Sequence, residues 1–129
     1  VILRGGNQGT NFDARSVESA CAALAKAGLR PQLMIDFSHA NSQKQHRKQI
    51  EVGHDVSTQI AGGTGTSVAG GDRRIIGVMI ESHLVEGRQD IVAGKPLTYG
   101  QSITDACISW DDSTGVLRGL AAAVAKRRK

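Results

Sequence analysis

Short apolar runs recur along the chain, and three of them end in a polar cluster. Val1, Ile2 and Leu3 lead into Arg4, Gly5 and Gly6. Leu33, Met34 and Ile35 lead into residues 36–42, DFSHANS, and Val78, Met79 and Ile80 lead into Glu81, Ser82 and His83. A strand that is apolar along its length and polar at its C-terminal tip is how parallel α/β proteins build binding sites. Between these runs the apolar period becomes helical. Asp13 is a natural N-cap for a helix to about residue 27, with Val17, Cys21, Leu24 and Ala27 on one face and Gly28 as its stop. Residues 44–61 predict a second helix that turns Ile50, Gly53, Val56 and Ile60 inward and ends at Gly62 and Gly63. A third strand over residues 75–80 is followed by a long loop. A last helix is expected from Ser113 or Thr114, burying Val116, Leu117, Leu120 and Val124.

Strands alternating with helices predict an α/β fold of βαβ units with a parallel sheet and right-handed crossovers. Three strands cannot close a barrel, which takes eight strands and about 250 residues. The first run keeps only three apolar residues and no initiator Met precedes it, so residues are expected upstream of Val1. Such a partial sheet would expose two edges and an uncovered face, which invites pairing with other chains. The glycine-rich segment 62–72 lacks both the P-loop and the dinucleotide-binding spacing and follows a helix rather than a strand. It reads as a flexible connection at the strands' N-terminal end.

Composition narrows the function classes. The 129 residues are 40% hydrophobic and 22% charged, a globular balance that suits one domain. No apolar stretch approaches the roughly 18 residues of a membrane span, and Arg4 interrupts the only apolar start, so neither a membrane segment nor a signal peptide is expected. The net charge of +4 comes from Lys126, Arg127, Arg128 and Lys129, which read as a basic tail after a helix. With that charge confined to the tail and only 3% aromatic residues, no nucleic-acid surface is indicated. Two cysteines make no disulfide framework and fit a reducing cytoplasm: Cys21 falls on a helix's apolar side, while Cys107 follows Asp105 by two residues.

The candidate chemistry lies at the strand tips. His39 can be a residue of a helix-entry turn, or a neutral imidazole that ligates a divalent metal with its other nitrogen held by an acceptor. Glu81 ends a run too apolar to hold a lone charge, so it must be paired, hydrogen-bonded or metal-bound. His83 is a second candidate if the strand continues past Glu81, whereas Asp105 alone reads equally as a turn residue. His39, Glu81 and Asp105 together make an N/O donor set suited to Mn²⁺, Fe²⁺, Co²⁺ or Zn²⁺. Arg4, beside two glycines, can grip a phosphate or carboxylate, or pair with a neighbouring acid. From the residues alone, the reading is a metal-dependent enzyme acting on an anionic small molecule.

The wording of these segments is also familiar. LRGG (residues 3–6), MIDFSHANS (34–42), QIAGG (59–63), IGVMIESHLVEG (76–87) and YGQSITDAC (99–107) together closely resemble type I 3-deoxy-D-arabino-heptulosonate 7-phosphate (DAHP) synthase, in order and over essentially the whole chain. The resemblance implies that residues 1–129 are the C-terminal third of a single catalytic domain, the last three βα units of a (β/α)₈ TIM barrel. It implies the first step of the shikimate pathway, in which phosphoenolpyruvate and erythrose 4-phosphate condense to DAHP with release of phosphate. By motif, His39, Glu81 and Asp105 would be ligands of a divalent metal (Mn, Fe, Co or Zn). The family's fourth ligand, a cysteine, lies upstream, and neither Cys21 nor Cys107 matches it. Arg4 would hold the phosphate or carboxylate of phosphoenolpyruvate, and His39 would also touch that phosphate. Most other anion contacts, including a Lys-Pro-Arg-Thr segment, would likewise lie upstream, so the 129 residues alone are expected to be inactive. A cytoplasmic homo-oligomer is implied. The stretch 64–72 is longer than in the family pattern. Two alternatives stand beside this one: a 3-deoxy-octulosonate 8-phosphate synthase-like enzyme, and a non-catalytic module that only binds anions or partners.

Overall fold

A computed structural model describes residues 1–63 and 68–129. Its centre is a three-stranded parallel sheet in the order β1 (Ile2–Leu3), β2 (Leu33–Asp36), β3 (Ile75–Met79). Ile2 pairs with Met34 and Leu3 with Ile35, and Ile35 pairs in turn with Val78. The strands do not close into a barrel. The crossover from β1 to β2 carries helix α1 (Ala14–Lys26), and that from β2 to β3 carries α2 (Lys48–Ala61). A parallel connection requires such a helix, because the chain must return to the sheet's starting edge.

Local chemistry sets the helix ends. Asp13 caps α1 as expected, accepting from the Ser16 amide at 3.0 Å and the Ser16 hydroxyl at 2.7 Å. The last helix, α3 (Trp110–Arg127), begins before Ser113, because Ser109 is its cap and accepts from the Asp112 amide at 3.1 Å. The Ser109 hydroxyl donates back to the Asp112 carboxylate at 2.9 Å. This Ser-x-x-Asp spacing is as strong a start signal as Ser113 or Thr114. Asp111 and Asp112 in the first turn and Lys126 and Arg127 in the last match the helix dipole. Lys126 and Arg127 therefore belong to the helix rather than to a frayed tail. Arg127 also donates to the Asp72 carbonyl at 2.7 Å.

The core fills the space between the sheet and the helices. Leu33, Ile35 and Phe37 from the central strand and its tip meet Val17 and Cys21 of α1, Val52, Val56 and Ile60 of α2, and Val116 and Ala123 of α3. Gly53 lies on the inward face of α2, where a Cβ would come within 3.0 Å of Val116 Cγ1 and 3.2 Å of the Phe37 ring. Leu117, expected in the buried stripe, is half exposed, and Ala123 takes the inward position. On the sheet's other side, Ile2 and Ile76 stand exposed.

The segment after β3, expected as a long loop, holds a second small sheet. Strands β4 (Val85–Arg88) and β5 (Gln101–Ser102) run parallel, with Val85 opposite Gln101. The Gln89 side chain closes the loop between them, donating to the Thr98 and Gln101 carbonyls and accepting from the Thr98 amide. Neither strand shows apolar alternation, which is why periodicity misses both. The chain then returns past the end of β3, where Ile108, fully buried, forms an isolated parallel bridge with Ser82 just before α3.

At the opposite end of the sheet, Asp72 is buried ahead of β3. Its carboxylate accepts from Arg74 Nε at 2.9 Å and Nη2 at 2.7 Å, and Arg74 also reaches Glu18 at 2.8 Å. The described ends of the glycine-rich segment are anchored here: the Asp72 amide donates to the Gln59 carbonyl at 3.0 Å. Gly71 has φ +97° and its missing Cβ would lie 2.2 Å from the Ile60 carbonyl oxygen. Residues 64–67 of the stretch expected to be unusually long lie outside the described residues.

Two outcomes are expected. Gly71→Ala combines a left-handed φ with a backbone clash, so it should lower unfolding stability by more than about 1 kcal/mol in a denaturant titration. Burial works against the Asp72 carboxylate, but the Arg74 hydrogen bonds and charge hold it below its ordinary value of 3.8. A carboxylate depressed in the folded state stabilises fully above its unfolded pKa, and that contribution fades as pH falls through the lower native value. Thermal unfolding from pH 6 to pH 2 should therefore show an acid limb below about pH 4 that is shallower in Asp72→Asn.

Candidate active site at the strand tips

The C-terminal tips of β1, β2 and β3 open into one cavity of about 730 Å³. Arg4, His39, Lys44, Glu81, Arg88 and Asp105 line it, so four of the five candidates from the sequence (Arg4, His39, Glu81 and Asp105) share one wall system, and His83 does not. Arg4, Lys44 and Arg88 share its wall with the Glu81 and Asp105 carboxylates, and Arg88 is also paired with Asp90, so Arg4 and Lys44 are the cations it offers an anionic ligand.

Each side chain has an identifiable support. The first tip turns sharply at Gly5 (φ +72°), where a Cβ would lie 2.8 Å from Ala40 Cβ and 2.9 Å from the Asn41 amide nitrogen. That close approach needs glycine. The buried Asn41 then joins the first two tips: its amide group donates to the Leu3 carbonyl at 3.1 Å and the Asp36 carbonyl at 2.8 Å, and its oxygen accepts from the Asn11 amide at 2.8 Å. Asn11 in turn accepts from the Gly5 amide at 2.7 Å. Arg4 is thus carried on a tip held from both sides.

His39 occupies a left-handed backbone position, φ +50°, one residue past the buried Ser38. Its Nδ1 lies 2.8 Å from Asp36 Oδ2 and 2.7 Å from Ser38 Oγ. Its Nε2 faces the cavity, 3.7 Å from Glu81 Oε1. Glu81 is positioned through its backbone by Gln49, which is completely buried: Gln49 Oε1 accepts from the Glu81 amide at 2.8 Å, and Nε2 donates to the Glu81 carbonyl at 3.0 Å. Sequence reading missed Gln49. A glutamine at helical spacing with Val52, Gly53, Val56 and Ile60 on the inward face of α2 was the available signal, since a buried carboxamide must find partners.

The excursion after β3 brings Asp105 and Arg88 to the cavity rim. Arg88 Nε donates to the Thr104 carbonyl at 2.8 Å. Gly87 and Cys107 exchange backbone hydrogen bonds at 2.9 and 3.1 Å, which fixes the return strand beside Asp105. Glu86 ties the excursion to the start of α2: His46 Nε2 lies 2.9 Å from it, and Arg47 Nη1 donates to both its oxygens at 2.7 and 2.8 Å. Those hydrogen bonds, from His46 first and Arg47 second, hold the Glu86 carboxyl below the usual range. Burial pushes the Cys107 and Cys21 thiols up, so neither is an activated thiolate. His83 faces a separate cavity with Gln89, Tyr99 and Gln101, and its Nδ1 accepts from the Leu84 amide at 2.8 Å. It does not join Glu81.

The donor set can be weighed against a divalent metal on this geometry. An imidazole nitrogen aimed at a carboxylate, with the ring's other nitrogen held by an aspartate, is the arrangement metal-ligating histidines adopt. His39 and Glu81 fit it, and Asp105 adds a second carboxylate to the same cavity. Among the described residues, no three His, Cys, Asp or Glu side chains converge into a closed coordination cluster. What stands here is an open, partial site.

Comparison with known proteins bears on this cavity directly. The sequence model of the DAHP synthetase I family matches residues 1–118. The chain is 56% identical over 129 residues to the phospho-2-dehydro-3-deoxyheptonate aldolase of Haemophilus influenzae, covering all of this chain and 33% of that protein. It is 55% identical over 128 residues to the Phe-sensitive enzyme of the same name from Escherichia coli K12, covering 99% of this chain and 34% of that one. The solved structure of the Francisella tularensis phospho-2-dehydro-3-deoxyheptonate aldolase superposes with a TM-score of 0.89 at 48% identity, over all of this chain and 35% of that structure. The chain thus spans about a third of the length of the curated relatives it matches. With the match running through the strand tips that build the cavity, the chain belongs to the DAHP synthetase I family.

Proposed function

We propose that these residues form part of a DAHP synthase active site, one that condenses phosphoenolpyruvate with erythrose 4-phosphate and water to give DAHP and inorganic phosphate. The observation that carries this reading is the convergence of Arg4, His39, Glu81 and Asp105 on one cavity, in a chain more than half identical to phospho-2-dehydro-3-deoxyheptonate aldolases. The reaction joins two phosphorylated substrates, and Arg4 and Lys44 in the cavity wall suit their charge.

In this reading Arg4 grips the phosphate or carboxylate of phosphoenolpyruvate, using two parallel N–H donors that lysine cannot offer in that geometry. Glu81 and Asp105 present carboxylate oxygens and His39 presents Nε2 as the ligand set for Mn²⁺, Fe²⁺, Co²⁺ or Zn²⁺. When bound, such an ion supplies Lewis-acid activation of a carbonyl and of water. Gln49 and Asn41 contribute indirectly by fixing the backbones of Glu81 and of the two strand tips. The remaining ligands and anion contacts belong to the part of the relatives' length that this chain does not span. A homo-oligomeric assembly in the cytoplasm accompanies the reading.

In the longer protein that completes the site, His39→Ala and Glu81→Gln should each lower kcat/KM for DAHP formation by more than about 100-fold, beyond the loss outer partners typically cause. A product assay offering erythrose 4-phosphate and a five-carbon aldose phosphate separately decides between this enzyme and an octulosonate-forming one. Turnover of the five-carbon sugar alone would overturn the assignment. The 129 residues by themselves should form no DAHP, and a measurable rate would show that the site needs nothing more.

A further inference from the structure

Asp36 is 4% exposed and ends the central strand, an expensive place for a carboxylate unless it has fixed partners. Its two oxygens do different things. Oδ1 closes a local turn, accepting from the Ser38 amide at 2.8 Å and the Ser38 hydroxyl at 2.9 Å. Oδ2 lies 2.8 Å from His39 Nδ1. A carboxylate oxygen accepts, so Oδ2 at 2.8 Å calls for the proton on Nδ1, and the single Ser38 hydroxyl proton then goes to Oδ1. What Ser38 Oγ turns toward Nδ1 at 2.7 Å is therefore a lone pair. Nδ1 faces two acceptors and no donor, so of the two neutral imidazole tautomers only the one carrying its proton on Nδ1 is compatible with these contacts. Nε2, the nitrogen toward Glu81, is then left bare.

The ring has little freedom to escape this arrangement. His39 sits at φ +50°, and its carbonyl accepts from the Lys44 amide at 2.9 Å and the Ser42 hydroxyl at 3.2 Å. The turn from Asp36 to Ser42 is thus closed on itself by hydrogen bonds at both ends. Asp36 itself is fixed by its place in β2 and by Asn41, which takes its carbonyl.

We propose that Asp36 is a positioning residue for His39: it selects the Nδ1–H tautomer and so directs an unprotonated Nε2 into the cavity beside Glu81. The consequence for metal affinity rests on the reading of His39 as a ligand, whereas the tautomer does not. A purely structural Asp36 would need only Oδ1, and Asn in its place would close the same turn. Asn would, however, offer an N–H to Nδ1 and favour the opposite tautomer, with the proton on Nε2.

The test is the ¹⁵N chemical-shift pattern of the His39 ring in the longer protein that completes the site, metal-free and ¹⁵N-labelled, recorded at a pH above the ordinary imidazole range. Wild type should show protonated Nδ1 and bare Nε2, Asp36→Asn should reverse the pattern, and Ser38→Ala should keep the wild-type one because Oδ2 remains. A wild-type ring protonated on Nε2, an unchanged tautomer in Asp36→Asn, or reversal by Ser38→Ala overturns the proposal. Titration with Mn²⁺ alone should then show affinity 10–100-fold weaker in Asp36→Asn, the usual loss on removing such a partner. Equal affinity in the two proteins would refute the link from tautomer to binding. If wild type binds no Mn²⁺ while the tautomers behave as stated, the ligand role of His39 fails and the positioning role of Asp36 stands.

Discussion

One buried carboxamide holds the site together. Asn41 satisfies two strand-tip carbonyls, those of Leu3 and Asp36, and one loop amide, that of Asn11. At the end of a parallel sheet such groups have no further ladder partner, and each left unpaired in a buried position costs about 1–3 kcal/mol. By satisfying all three, Asn41 permits the strands to end abruptly and the chain to turn into functional side chains. Arg4 and His39 face the same cavity because the backbones that carry them are joined through this one side chain.

The same device recurs with different residues. Gln49, on a helix otherwise committed to the core, clamps both backbone groups of Glu81. Glu86 draws His46 and Arg47 to the excursion that bears Arg88 and Asp105. Asp36 holds the His39 ring from a buried position. The His39 and Glu81 side chains are partly exposed, and the groups that support them are mostly buried amides and acids. That division follows from electrostatics. Reactive groups need access to ligand and solvent, while their orientation is best fixed where water cannot compete for the hydrogen bonds.

How much of this could be read from residues alone varies with the range of the interaction. The Asp13 cap, the helix faces through Val17 and Val56, and the three parallel strands depend on neighbours a few positions away, so spacing carries them. The start of α3 was legible too, in Ser109 and Asp112, but Ser113 and Thr114 competed for the same role. Strands β4 and β5 were not legible. They are two to four residues long, polar, and held by side chains such as Gln89 rather than by burial, so no period-2 pattern exists to find. Leu117 misled for a related reason: a helical stripe gives the apolar face, but the neighbouring elements decide which edge of it is covered.

Read as a linear chain, the residues are enough to identify the family. Strand tips bearing Arg4, His39 and Glu81, in segments long and specific enough to be matched to relatives, are properties of the linear chain. Packing settles which polar residues point into the cavity and which fix the backbones around it. His83 and Glu81 are two residues apart, yet they open into different cavities, because β3 ends at Met79 and regular strand alternation does not carry through to His83. Asp36, Asn41 and Gln49 look like ordinary turn or helix residues in a linear reading. Their roles arise from hydrogen bonds that need buried geometry, and geometry of that kind exists only once the sheet and helices have packed.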